Sequence, residues 1–202
     1  MVRSRPGGPR LVEGLRRHRR ARGTRATRSH FAELLRRHLS GRQTPVDDLV
    51  GYLDYLGGLG RFAFHGSGDA GLGQLGTERK SGDSRAFGRQ RAVYATPDPH
   101  WAAFFALVNR EQAATIRNFS IGLHAHSRSR WYRRDVVLTD PAQPPARPGW
   151  LYVLPPEGFH AAPRRFGPID VAHWVSHEPV RPLFALPLTP GTYPLARYIR
   201  AR

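Results

Sequence analysis

Apolar residues near the start of the chain recur at three- and four-residue spacing, which is typical of one face of an amphipathic helix. The first such stripe follows Ser29 and ends before the pair Ser40-Gly41, where small and flexible residues favour a helix end. Its members are Phe31, Leu34, Leu35 and Leu39. This pattern predicts a helix over residues 29–40.

A second stripe of the same spacing consists of Leu49, Leu53 and Leu56. We expect its helix to begin at Thr44-Pro45, because the Thr44 hydroxyl can cap the first turn and proline fits the first helical position. The pair Gly57-Gly58 predicts where the helix ends. The two helices together form a predicted helical extension over residues 29–58.

From residue 59 onward the chain shows short β-type segments separated by glycine and proline. One further helix interrupts them, capped at Thr96 and running to about Asn109. The predicted strands are residues 61–65, 92–95, 116–125, 130–139, 150–154 and 174–188, with a glycine-rich loop over 66–88. Three prolines in the last strand require edge positions or bulges. Because strands and helices do not alternate in βαβ units, the predicted class is α+β.

Residues 1–28 show neither pattern. They are rich in arginine and poor in apolar residues, so they cannot bury enough surface to offset the entropy of ordering. We therefore expect a flexible arginine-rich arm over 1–28, the helical extension over 29–58 and one folded domain over 59–202.

The composition narrows the class of protein. A chain of 202 residues with 40% apolar residues suffices for one domain with a core. The absence of cysteine excludes disulfide scaffolds, thiolate metal sites and cysteine nucleophiles. No apolar run approaches the roughly 18 residues of a membrane span, and the arginine-rich start lacks the apolar part of a secretion signal. We therefore expect a cytoplasmic protein without a membrane partner.

The net charge of +17 is concentrated at the start of the chain. Residues 1–44 hold thirteen arginines and only two acidic residues, Glu13 and Glu33. Such an arm fits a nucleic-acid partner, because each phosphate that a cation neutralises releases a counterion. A coding bias toward GC-rich codons is the alternative explanation, since Lys80 is the only lysine.

Several common sites are absent from the sequence. The glycines after His65 lack the helix and acidic residue of a dinucleotide fingerprint, and there is neither a phosphate-loop lysine motif nor a nucleophile elbow. His124 and His126 lie two apart on a predicted strand and could bind zinc together with His160 or Asp135. Because no spacing fixes a third ligand, we predict no metal site.

Three motifs carry the functional hypothesis: FHGS at residues 64–67, VYATPDPHWAAFFAL at 93–107 and SHEPV at 176–180. With them the chain resembles the ADP-ribosyltransferase superfamily, in its diphtheria-toxin and poly(ADP-ribose) polymerase branch. There a histidine and glycine end the first core strand, a tyrosine precedes an alanine-bearing helix, and a glutamate begins a late strand. His65, Tyr94 and Glu178 match that order over residues 62–194.

The resemblance implies a split antiparallel sheet, NAD as substrate, and catalytic roles for His65, Tyr94 and Glu178. In such a site the histidine and Gly66 orient NAD, the tyrosine ring stacks on nicotinamide, and the carboxylate stabilises the positive charge that develops on the ribose. The remaining predicted NAD-binding residues are Ser67, Arg91 and Ala95. The reaction is ADP-ribosyl transfer or NAD hydrolysis, and a toxin role is open. Ser176 replaces the acid that arginine-modifying members carry two residues before the glutamate, which disfavours arginine as acceptor.

Two alternatives share this fold. RNA 2′-phosphotransferases also carry a histidine-glycine motif behind a small helical unit, which the LLRRH stretch at residues 34–38 resembles. Their arginine set and second motif have no counterpart here that we can place. The other alternative is a catalytically inactive protein that binds nucleic acid through its arginine-rich arm.

Overall fold

The computed structural model describes residues 16–78, 90–122, 128–162 and 172–202. Within these ranges the chain is α+β, which confirms the predicted class. The helices are α1 (Arg25–Leu39), α2 (Leu49–Leu59) and α3 (Pro99–Leu107), followed late in the chain by a 3-10 helix, Pro194–Tyr198. The strands are β1 (Arg16–Arg19), β2 (Ala63–Ser67), β3 (Val93–Ala95), β4 (Ala113–Gly122), β5 (Ser129–Leu138), β6 (Gly149–Leu154), β7 (His160–Ala161), β8 (Trp174–Ser176), β9 (Phe184–Leu188) and β10 (Arg200–Ala201).

The described strands form three small sheets. In the first, β5 pairs along one edge with β4, and along the other with β1 (antiparallel) and β10 (parallel). The second has the order β2-β6-β9 and the third the order β3-β8-β7, both antiparallel throughout. A two-bond bridge between Phe64 and Thr96 joins the second sheet to the third.

The apolar helix α3 lies at the centre of the core. All of its residues except Phe105 are buried, and its Trp101 ring stacks on Tyr132 of β5 while the helix also packs on β2 and β6. Glycines make this close approach feasible: a Cβ at Gly66 would collide with the Ala102 carbonyl, and one at Gly149 with the Ala106 carbonyl. No described helix is both long enough and apolar enough to cross a bilayer.

Helix α1 places Phe31, Leu34 and Leu35 in the core, as its stripe predicts. It begins at Arg25, earlier than expected, because Thr24 caps it by accepting a hydrogen bond from the Thr27 amide. The expected core position of Leu39 is wrong, since that side chain is 45% exposed. A buried histidine, His38, faces inward in the last turn instead.

Helix α2 buries the predicted stripe but has different ends. It begins at Leu49, where Asp48 accepts a hydrogen bond from the Gly51 amide, so Thr44 is not its cap. The Thr44 carbonyl instead accepts a hydrogen bond from His38 Nε2. The helix continues through the two glycines to Leu59 and ends at Gly60, whose φ of 68° is left-handed.

Two further expectations need correction. The strand predicted over residues 174–188 is two strands of different sheets, because Pro179 and Pro182 lack the amide protons that a continuous ladder needs. Helix α3 is capped by Asp98, which accepts a hydrogen bond from the His100 amide; Thr96 instead bonds the Asp98 amide.

The flexible arm predicted for residues 1–28 is wrong for residues 16–28, whereas residues 1–15 lie outside the described chain. Arg16–Arg19 form β1 against β5, and Arg20 is buried. Local composition favours disorder here, but ion pairs with distant residues outweigh it.

We expect Gly149→Ala to lower the free energy of unfolding by about 1–3 kcal/mol, because the added methyl group must displace α3 from β6. The matched control is Gly58→Ala on the exposed side of α2, where nothing lies within 4 Å of the new Cβ. That change should raise the free energy of unfolding by roughly 0.5–1 kcal/mol, because alanine has a higher helix propensity than glycine. Urea denaturation measures both; a neutral Gly149→Ala would contradict the close packing of α3 on β6.

Candidate functional site

The first two motifs meet where the second and third sheets join. His65 on β2 is half-buried, and its Nδ1 donates a hydrogen bond to the Tyr94 carbonyl oxygen on β3 at 2.7 Å. The bond fixes the orientation of the imidazole ring relative to β3. The Tyr94 hydroxyl donates to the Gln90 carbonyl oxygen at 2.8 Å, which holds the tyrosine ring in place.

The third motif follows the strand that pairs with β3. Val93 is the register partner of Ser176, and Tyr94 is that of Val175. Glu178, two residues after the end of β8, therefore lies just past the start of β3. Glu178 lies exposed in a bend, neither within a strand, as the prediction over 174–188 had it, nor at the start of one, as the resemblance implies. The buried Ser176 hydroxyl shapes this bend, since it accepts from the Glu178 amide and donates to the Glu178 carbonyl.

The remaining predicted NAD-binding residues take several places. Gly66 lies beneath α3, so helix packing already requires a glycine there. Ser67 and Ala95 are buried, and the Ser67 hydroxyl forms a turn with Asp69. Arg91 is exposed just before β3. Residues 79–88 of the predicted glycine-rich loop lie outside the described residues.

An aromatic groove lies on the face of the second sheet that carries His65. Tyr152 of β6 is the register partner of His65, with ring centroids 6.4 Å apart, and it lines the groove with Trp150, Ala185 and Leu72. Its volume of about 260 Å³ is slightly below the roughly 300–1,000 Å³ of typical ligand pockets. The groove can therefore hold one flat ring, but not a whole dinucleotide.

Tyr152 also holds the loop that forms one wall of this groove. Its hydroxyl donates to the Asp69 carbonyl oxygen at 2.6 Å and accepts from the Leu72 amide at 3.2 Å. Burial raises the pKa of this hydroxyl, so it keeps the proton that it donates. The aromatic side chain thereby fixes the start of the glycine-rich loop beside His65.

A buried ionic network, which the sequence did not predict, surrounds Asp98 at the start of α3. Its carboxylate accepts from the Tyr132 hydroxyl at 2.5 Å and pairs with Arg130 at 3.2 Å and Arg20 at 3.4 Å. Burial opposes the charged form, but the two guanidinium groups outweigh it and hold the pKa of Asp98 below its ordinary value. Asp98 is therefore an ionised carboxylate inside the core.

A second buried carboxylate, Asp54 of α2, lies beside this network. Its Oδ1 accepts hydrogen bonds from His18 Nε2 at 2.9 Å and His100 Nε2 at 2.8 Å, while Nδ1 of His100 accepts from the Tyr193 hydroxyl at 2.7 Å. Burial acts to raise the pKa of Asp54, but the hydrogen bonds from the histidines outweigh burial and hold this pKa below its ordinary value. Burial also lowers the pKa of His100, which keeps this imidazole neutral at pH 7.

One sequence signal pointed to this network. The nine residues of α3 are nearly all apolar, which is typical of a helix buried on every side, and the polar residues Asp98 and His100 at its start must then be buried with partners. In the helix predicted from Thr96 onward, Asp98 falls in the first turn. Its partners, Arg20 after β1 and the residues of β5, have no local signature.

The zinc site considered from the sequence falls partly outside the described residues, because His124 and His126 are not among them. The two residues considered as third ligands lie apart: His160 is exposed on β7, and Asp135 is buried on β5. Arg133 and Arg202 pair with the Asp135 carboxylate at 2.7 and 3.1 Å. Asp135 is thus neutralised by arginine side chains.

Comparisons of this chain with protein-family models, curated proteins and solved structures found no match. An assignment of function therefore depends on the residues of this chain and their geometry.

We expect Asp98→Asn to lower the free energy of unfolding by about 3–5 kcal/mol, because it leaves Arg20 and Arg130 buried without their anion. Tyr132→Phe should cost about 1.5–3 kcal/mol, the range for a hydrogen bond to a charged group. The control is Tyr198→Phe, whose hydroxyl accepts a hydrogen bond from the exposed Arg197, and it should change stability by less than about 0.5 kcal/mol. Urea denaturation measures the free energy of unfolding of all three variants. Equal losses for Tyr132→Phe and Tyr198→Phe would refute the network.

Proposed function

We propose that this chain cleaves the nicotinamide–ribose bond of NAD and transfers ADP-ribose to an acceptor or to water, with the split-sheet core of the ADP-ribosyltransferase superfamily. The observation that carries this proposal is the contact between the first two motifs. His65 Nδ1 bonds the Tyr94 carbonyl at the bridge between β2 and β3, and β3 pairs with the strand that precedes Glu178. The first two motifs thus lie on neighbouring strands, and the third begins at the end of the strand that pairs with β3.

Each residue has a role that its position supports. The imidazole of His65, oriented by its bond to β3, hydrogen-bonds a ribose hydroxyl of NAD. The Tyr94 ring, held through its hydroxyl, stacks on nicotinamide. The exposed carboxylate of Glu178 stabilises the positive charge that develops on the ribose as nicotinamide leaves.

The surroundings of the site support a mode of binding. The groove over Trp150 and Tyr152 shares a face with His65 and has room for one flat ring, such as the adenine or the nicotinamide of NAD. Arg91 precedes β3 at an exposed position, where its charge favours the pyrophosphate. Ser176 bonds the backbone of the Glu178 bend and brings no second acid, which disfavours arginine as acceptor.

The direct test is release of nicotinamide from NAD by the purified full chain. We expect Glu178→Gln to reduce the rate by about 100- to 1000-fold, the cost of losing one preorganised electrostatic partner. Tyr94→Phe should retain most of the activity and Tyr94→Ala should lose it, because stacking needs the ring and not the hydroxyl.

Glu157→Gln is the matched control, since Glu157 is also an exposed glutamate in a turn. It should release nicotinamide at the wild-type rate. Circular dichroism establishes that each variant is folded. Full activity of Glu178→Gln, or no turnover of NAD by the wild type, would disprove the proposed reaction.

A second candidate function, binding of a nucleic acid, has its own observation. Six arginines between residues 16 and 28 are exposed, and no acidic residue interrupts them: Arg16, Arg17, Arg19, Arg22, Arg25 and Arg28. Strand β1 holds the first three of these residues and the first turn of α1 holds the last two, while Arg22 lies in the segment between them. An array of exposed guanidinium groups fits the phosphates of a nucleic-acid backbone.

Fluorescence anisotropy with single-stranded RNA between about 50 and 200 mM salt tests this binding. Replacing Arg22, Arg25 and Arg28 together by alanine should weaken binding and reduce the slope of log K against log salt by roughly one unit for each phosphate that is no longer neutralised. Replacing the exposed Arg61, Arg117 and Arg181 instead is the control and should leave the slope unchanged. Equal effects of both triple changes would show that the array is not the binding surface.

A further inference from the structure

Three metal-ligating side chains from distant parts of the chain meet beside the core: His18 on β1, Asp54 on α2 and His100 on α3. Nε2 of each histidine lies within 2.9 Å of the same oxygen, Asp54 Oδ1, and the three donor atoms lie within 4.8 Å of one another. Two imidazoles and one carboxylate form a ligand set that zinc takes in sites with three protein ligands.

Neighbouring groups orient these ligands toward a common point. The Tyr193 hydroxyl bonds Nδ1 of His100, and the Ala21 amide donates to Asp54 Oδ2 at 2.9 Å. Both contacts hold the atom on the far side of a ligand and turn its donor atom inward. Outer partners of this kind accompany most protein metal ligands and fix their orientation.

The cluster has a route to solvent on one side. The His100 and Asp54 side chains are 0% and 4% exposed, whereas His18 is 17% exposed. An ion and a water ligand can therefore enter past His18. Tetrahedral coordination at about 2.05 Å separates ligand atoms by about 3.3 Å, so both histidine–carboxylate separations, now 2.9 and 2.8 Å, must lengthen by roughly 0.5 Å to admit an ion.

We propose that His18, Asp54 and His100 bind a divalent transition-metal cation of the zinc class, which ties β1 to α2 and α3. Each imidazole binds through Nε2, and the proton that this atom carries in the hydrogen-bonded cluster moves to Nδ1. In His100 the Nδ1–H then donates to the Tyr193 oxygen. One ionised carboxylate and two neutral imidazoles leave the bound site with a charge of about +1, and water takes the fourth position.

The experiment uses the full chain without an affinity tag, first stripped with a chelator. Titration calorimetry with zinc chloride should show one site per chain, and zinc at about 100 times its dissociation constant should raise the melting temperature by about 5–10 °C. Absence of both effects in the folded protein would overturn the proposal and leave a hydrogen-bonded cluster without metal.

His18→Gln separates coordination from hydrogen bonding, because a glutamine amide can still donate to Asp54 but is a poor zinc ligand. We expect it to weaken zinc binding by about 100-fold or more while the protein stays folded without metal. The control is His30→Gln, an exposed histidine of α1, which should bind as the wild type does. If His18→Gln binds zinc normally and a double change of His124 and His126 to glutamine abolishes zinc binding, the metal lies elsewhere and the proposal is wrong.

Discussion

An ionised carboxylate that is 0% exposed, Asp98, is the constraint on which the other elements depend. A charge inside the core is tolerated only where opposite charges and hydrogen-bond donors surround it. Those partners are Arg20, directly after β1, and Arg130 and Tyr132 of β5. The position of Asp98 therefore determines how α3, β5 and the segment around Arg20 pack on one another, although the three are far apart in sequence.

The same residue connects the core with the candidate site. Asp98 caps α3, and the backbone just before this cap is β3, whose Tyr94 carbonyl bonds His65. Close packing of α3 on the glycines of β2 and β6 sets the height of that helix above the second sheet. The network and the two glycines thus position α3 next to the bridge at which His65 bonds Tyr94.

Local patterns predicted the elements whose structure depends on local properties. The α1 and α2 stripes, the short strands around His65 and Tyr94, and the α+β class all followed from periodicity and from glycine and proline. The predicted ends of α2 were wrong, because Asp48 is the better cap. The single strand predicted over residues 174–188 was wrong, because the prolines of a bend divide it in two. The adjacency of His65 and Tyr94 followed only from the order of motifs.

Periodicity could not predict the buried network, since an arginine in a basic stretch has the local pattern of a solvated residue. Arg20 is nevertheless buried, because Asp98, 78 positions later, requires a counter-charge.

The pairing of β5 has a consequence for how the protein folds. One edge of this strand is covered by residues 16–19 and 200–201, which are separated by nearly all of the described chain. That edge of β5 stays unpaired until both segments have been synthesised and have met. Pairing both with β5 therefore costs the entropy of closing a very long loop. We expect the last folding step to be slow, and an intermediate with an exposed β5 edge is the species most able to pair with a second molecule.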